Sequence, residues 1–134
     1  LGDLLGRSVF VDPRDRGERV WAADLALRSG AAGVVVADGR GMDMSASRRL
    51  QLGAGAGRAW CLLARPESER GALSAAWTRW SVGPARLEGS PSPGWALELL
   101  RCKGVRPASE GARRWRVRRD HETGDVRVLP DAAG

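Results

Sequence analysis

Apolar and polar positions follow one rhythm in the first half of the chain and another in the second. Residues 31–37 are apolar without alternation, and Asp38 closes the run. Three consecutive valines between Gly30 and Gly39 predict a strand covered on both faces, as in a parallel sheet. Upstream, residues 18–29 carry Val20, Leu27 and small alanines near one face of a helix, which Trp21 and Leu25 widen, and Gly30 is the expected stop. Before the helix, residues 7–13 read as a short strand halted by Pro13. Strand, helix and strand in that order make one crossover unit.

Residues 39–44 form a flexible loop, and either Ser45 or Ser47 can cap a second helix bearing Arg48, Arg49, Leu50, Gln51 and Leu52. The run Gly53-Ala54-Gly55-Ala56-Gly57 reads as the connector that ends this helix. It follows a helix and precedes a strand, the reverse of a phosphate cradle. Residues 60–64 predict another buried strand. From residue 67 the pattern changes: a polar loop comes first, then residues 72–76, open to either a helical turn or a strand start. Thr78, Trp80 and Val82 next alternate with Trp77, Arg79 and Ser81, as in an antiparallel strand. Residues 95–103 predict a strand, and 113–119 with 125–129 a hairpin through the turn at 120–124. The fold class is α/β: a mostly parallel sheet flanked by helices over 1–66, then an antiparallel extension with a β-hairpin over 67–134, in one domain.

With 134 residues the chain is long enough for one core and short for two. Residue 1 is Leu rather than Met, which fits a piece of a longer protein. No apolar run reaches membrane-spanning length, and no signal segment opens the chain, so a cytoplasmic protein away from membranes is expected. Cys61 and Cys102 lie in separate apolar runs and predict buried free thiols. One histidine, His121, gives no support to a histidine metal site or a Ser-His-Asp triad, so neither catalytic residues nor a cofactor are expected.

Charge adds more. The net charge is +6, and all but one of the 22 basic residues are arginines, the exception being Lys103. Arginine pairs bidentately with phosphate and carboxylate, which points to a polyanion or an acidic partner, although a GC-rich genome also enriches it. Asp38 falls at the carboxyl end of its strand, where open α/β sheets place ligands, or it simply caps the next turn. Arg48 and Arg49 either bind phosphate oxygens beside the glycine loop or form a solvated helix face or an ion pair with Asp43. Alternation puts Arg114, Arg116 and Arg118 on one side of their strand and Trp115 with Val117 on the other. Those arginines contact nucleic acid, dock an acidic protein, or guard a strand edge against aggregation. Trp21, Trp60 and Trp95 predict core positions. Trp77 and Trp80, on opposite faces of one strand, leave at least one for a partner.

Taken together, the helix Trp21-Ala22-Ala23-Asp24-Leu25-Ala26-Leu27-Arg28 running into Gly33-Val34-Val35-Val36, then Arg48-Arg49-Leu50-Gln51-Leu52, Trp60-Cys61-Leu62-Leu63-Ala64-Arg65-Pro66 and Trp95-Ala96-Leu97-Glu98-Leu99-Leu100-Arg101-Cys102-Lys103-Gly104 resemble the ImuA family. These are the RecA/SulA-like accessory proteins of bacterial mutagenic DNA repair, and the likeness extends over residues 9–129 to the C-terminal part of a RecA-like core. The resemblance implies a RecA-type sheet with Asp38 at the Walker B position. It also implies a non-catalytic adaptor in SOS-induced translesion synthesis, working with an ImuB-type polymerase-like protein, an error-prone DNA polymerase and RecA, with DNA as a possible contact. The chain departs from active RecA-like ATPases in having no GxxxxGK[ST] stretch, and its single lysine lies in a late strand. As given it is expected not to hydrolyse ATP. The alternative is a piece of a RecA-type DNA-dependent ATPase whose phosphate-binding loop lies upstream.

Overall fold

Asp15 starts the first helix. Its side chain accepts the Glu18 N–H from an extended N-cap backbone, and α1 runs Arg16–Arg28. Glu18 reaches back past the N-cap to accept from the Arg14 N–H and guanidinium, tying the residue before the helix to its first turn. The computed structural model describes residues 3–86, 93–105 and 113–129, and the chain divides into two compact units, Leu1–Ala76 and Trp77–Gly134.

In the first unit, β1 (Val34–Asp38) and β2 (Trp60–Ala64) pair in parallel, with Val34 opposite Trp60 and Asp38 opposite Ala64. Helix α2 (Met44–Gly57) makes the crossover between them. Its N-cap is Asp43, whose carboxylate accepts the Ala46 N–H, rather than Ser45 or Ser47. It ends on Arg58, held in the left-handed region at φ 54°. Leu27, Met42 and Leu50 are fully buried, and the inward residues Val35, Ala37, Cys61 and Leu63 pack against them. Because the helices pack on that one side, the outer side of the pair stays bare.

Several expectations change here. β1 is not covered on both faces: Val36 is 70% exposed, and Trp60, expected in the core, is 72% exposed on the same outer side. Trp21 and Leu25 do not widen the buried face of α1 but face outward, leaving Val20, Ala23, Asp24 and Leu27 to meet the core. Residues 7–13 are not a strand; among the described residues no ladder partner lies beside them, and Val9 and Phe10 are exposed, so no burial offsets the entropy of holding them extended. Gly53 to Gly57 is not a connector but the last turn of α2. A Cβ at Gly53 would come within 2.8 Å of Asp24 Oδ1, and one at Gly57 within 1.6 Å of the Leu27 carbonyl oxygen. Glycine there lets α1 and α2 approach more closely than any side chain would allow. Residues 72–76 are neither helix nor strand, and the Ala75 N–H donates to Ser47 Oγ at 2.9 Å.

The second unit is a four-stranded antiparallel sheet in the order β3-β4-β5-β6, comprising Thr78–Ala85, Gly94–Cys102, Arg114–Arg119 and Val126–Leu129. The expected strands and hairpin are all present. Its turn is tied by the Asp120 carboxylate, which accepts the Glu122 and Thr123 N–H groups. Between Arg79 and Trp80 the β3–β4 register shifts, leaving Leu100 as a bulge.

Candidate functional site

Directly opposed residues of an antiparallel sheet share a face, so the register sorts the second unit into two chemically distinct sides. On one side Trp80 lies opposite Leu99, Val82 opposite Leu97, Leu97 opposite Trp115, and Val117 opposite Val128. The rings of Trp80 and Trp115 stand 5.4 Å apart, tilted at 50°. Val117 is buried, whereas Val82 and Val128 are 61% and 64% exposed. Trp77, just before β3, is also exposed, and the Lys103 ammonium stands 5.8 Å over its ring.

The other side is basic. Arg114, Arg116 and Arg118 share it, as alternation predicts, facing Glu98, Ala96 and Gly94 of β4. Arg127 lies opposite Arg118, and Arg79 opposite Arg101. Arg114 reaches Glu98 at 3.6 Å and Arg127 reaches Asp120 at 3.8 Å. The Asp120 carboxyl lies below its usual range, held there by the Thr123 and Glu122 N–H groups with help from Arg127 and Arg118. Ser81, Gly83 and Ala96 floor a shallow open depression whose rim includes Glu98, Arg114 and Arg116. β5 is an interior strand, between β4 and β6, so its arginines do not guard an edge.

Sequence reasoning missed Arg79, Arg101 and Arg127 as members of this face. Strict parity from Glu98 would put Arg101 among Leu97 and Leu99; the bulge at Leu100 returns it to the basic side. Trp95 is half-buried on the apolar side.

The first unit holds the remaining candidates. Asp38 sits at the carboxyl end of β1, as expected, with both oxygens engaged: Oδ2 takes Arg19 Nη1 at 2.9 Å and Oδ1 the Arg40 N–H at 2.9 Å. The loop that follows is not free. Gly41 donates to Glu69 Oε1, Arg65 bridges Glu69 and the Met42 carbonyl, and Arg16 holds the Gly41 carbonyl. The Gly41 N–H and Arg65 hold the Glu69 carboxyl below its usual range. Arg48 is exposed and hydrogen-bonded to Gln51 at 2.7 Å. Arg49 pairs instead with buried Asp24 at 2.9 Å, on which Arg28 also closes at 2.9 Å. Burial pushes the Asp24 pKa up, but the hydrogen bonds from Arg49 and Arg28 outweigh it and hold the group below its ordinary value. The sequence signal for this clamp was an aspartate at i+4 from Val20, on the apolar stripe of α1, where a carboxylate requires cations.

Cys61 and Cys102 are free and half-buried, and burial raises the Cys61 pKa. Among the described residues no group of three His, Cys, Asp or Glu side chains is placed to hold a metal ion, and no helix is long and apolar enough to cross a membrane.

No protein-family model matches the chain, and no solved structure gives a significant match. Two curated proteins do, both named Protein ImuA and from two strains of Caulobacter vibrioides. Each is 32% identical over 122 residues, covering 80% of this chain and 50% of the relative. The chain thus spans about half the length of the curated relatives it matches, and it belongs to the ImuA family.

Proposed function

We propose that this chain is a non-catalytic, RecA-like accessory protein of DNA-damage-induced mutagenesis. In this reading it acts in the cytoplasm by docking to an ImuB-type polymerase-like protein, an error-prone DNA polymerase and RecA. Kinship to Protein ImuA supports the process, and the parallel β-α-β unit with Asp38 at a strand's carboxyl end is compatible with a RecA-type sheet. The single observation that carries docking is the exposed apolar side of the antiparallel sheet, where Trp80, Val82 and Val128 stand beside the tilted Trp80–Trp115 pair. Contiguous apolar surface of this kind, anchored by tryptophan, is what protein interfaces use.

Co-expression of the chain with the ImuB-type protein of the same bacterium tests this. Val82→Asp and Val128→Asp place charges on a surface that is already solvent-exposed, so the fold should persist by circular dichroism. Co-purification should be lost. Retention of the partner by the folded double variant would remove the apolar side from the docking role.

A further inference from the structure

The opposite side of the same sheet carries a second, independent surface. We propose that the arginine face binds the phosphate backbone of nucleic acid without regard to base sequence.

Four observations lead there. First, Arg79, Arg101, Arg114, Arg116, Arg118 and Arg127 share this face with one carboxylate of the same strands, Glu98. Arg79 lies directly across from Arg101 and Arg118 directly across from Arg127, so the guanidiniums sit on neighbouring strands as well as along one, with Asp120 at 3.8 Å from Arg127 at the turn end. Second, the placement repeats. Successive arginines along β5 recur at about 6.8 Å, twice the residue rise of an antiparallel strand, and one strand of duplex presents a phosphate about every 3.4 Å along its axis. From Arg101 to Arg118, opposite Gly94, the cations follow β4 for seven residues, or about 24 Å. A repeating row of cations suits a repeating anion, whereas one carboxylate needs a single bidentate partner.

Third, the floor is Ser81, Gly83 and Ala96, small enough for a backbone to settle between the guanidiniums. Fourth, Trp80, Trp95 and Trp115 all face the other way, and Trp77, which alternation puts on the arginine side just before β3, has the Lys103 ammonium 5.8 Å over its ring. Stacking on aromatic rings, on which single-strand binders rely, is therefore not offered by these strands. Contact is with phosphates alone, and duplex should bind at least as well as single strands.

Arg116 and Arg118 are the discriminating pair, since neither has a carboxylate within ion-pair distance among the described residues. Fluorescence anisotropy with short labelled duplexes of two unrelated sequences, and with their separated strands, is measured on the full chain across a salt series. The Arg116→Ala/Arg118→Ala variant should weaken binding of both duplexes equally, by about 30-fold at about 0.15 M salt, and lower the slope of log K against log salt by about two. Arg116→Lys/Arg118→Lys should keep the slope. It also supplies the readout if the alanine variant does not fold by circular dichroism. Arg7→Ala/Arg40→Ala removes the same charge from the first unit and should leave the slope unchanged. Failure of the unmodified chain to bind duplex would overturn the proposal. So would an unchanged slope in the alanine variant, a lost slope in the lysine variant, or an equal loss in the Arg7/Arg40 control. Polyglutamate displacing duplex at equal charge concentration would overturn it too, in favour of an acidic protein. The apolar-side variants Val82→Asp and Val128→Asp should bind duplex with the unmodified slope, which separates this surface from the docking reading.

Discussion

Three alternate glycines at the end of α2 meet three different environments, and alanine substitution should separate them. Beyond the helix's own backbone and its chain neighbours, nothing among the described residues lies within 4 Å of a Cβ at Gly55. Gly55→Ala therefore collects the helix propensity difference alone, about 0.8–1 kcal/mol of added stability. For a unit of this size that raises Tm by about 4–8 °C. At Gly53 the new methyl would sit 2.8 Å from Asp24 Oδ1 and 3.5 Å from Leu27 Cβ. The carboxylate cannot swing away cheaply, because Arg28 and Arg49 hold both its oxygens. The propensity gain should be cancelled and Tm should fall by a few degrees, about 1 kcal/mol net. At Gly57 the neighbour is backbone: 1.6 Å to the Leu27 carbonyl oxygen and 2.8 Å to its carbon. No rotamer relieves that contact. Helix α1 must move, and with it fully buried Leu27, at the upper end of overpacking costs, about 3 kcal/mol. Calorimetric melting of the four proteins should rank them Gly55→Ala, unmodified, Gly53→Ala, Gly57→Ala, from highest Tm to lowest. A Gly57→Ala protein that melts with the unmodified one would refute the close approach of the two helices.

Three further outcomes are expected. The Asp24 carboxyl titrates below its ordinary value in the folded chain, so its contribution is complete above about pH 4 and is lost as pH falls through the folded pKa. Melting temperature should therefore drop less steeply on acidification in Asp24→Asn than in the unmodified chain, and parallel curves would sink the clamp. Ser47→Ala removes the acceptor of the buried Ala75 N–H, which should cost about 1–3 kcal/mol and speed hydrogen exchange at Ala75; unchanged protection there would count against that tie. Trp80→Ala should lose the ring pair with Trp115, about 0.5–1.5 kcal/mol beyond the lost burial, read as a lower denaturant midpoint.

Particular residues show what was legible beforehand. Parity alone put Arg114, Arg116 and Arg118 opposite in sense to Trp115 and Val117, and the β4–β5 register has them so. Periodicity reports how residues divide between faces, not whether anything covers a face. Val36 and Trp60 therefore read as core and are exposed. A strand also needs a neighbour, which residues 7–13 lack among the described residues. Arg101 was hidden for another reason: a one-residue bulge resets parity, and no local residue type announces Leu100 as the extra one. Gly53 and Gly57 read as helix breakers because propensity is local, while their use depends on α1, about 25 to 30 residues earlier. The Asp24 clamp was half visible, as a charge on an apolar stripe whose partners only the packing of α2 on α1 could name.

The bulge at Leu100 bears on how this sheet can change over generations. Since Trp80, Trp95, Trp115 and the valines of these strands occupy one side and the arginines the other, strand parity is what keeps them apart. Deleting one residue within β5 would interchange Arg116 and Val117, spoiling both surfaces in a single event. Changes by two residues, or length changes taken up in the turn at 120–124, would spare both. Homologues should therefore vary in length at the turns and in steps of two within strands. Where a single-residue insertion does occur inside a strand, it should be found at a bulge, as at Leu100, where the ladder already absorbs it.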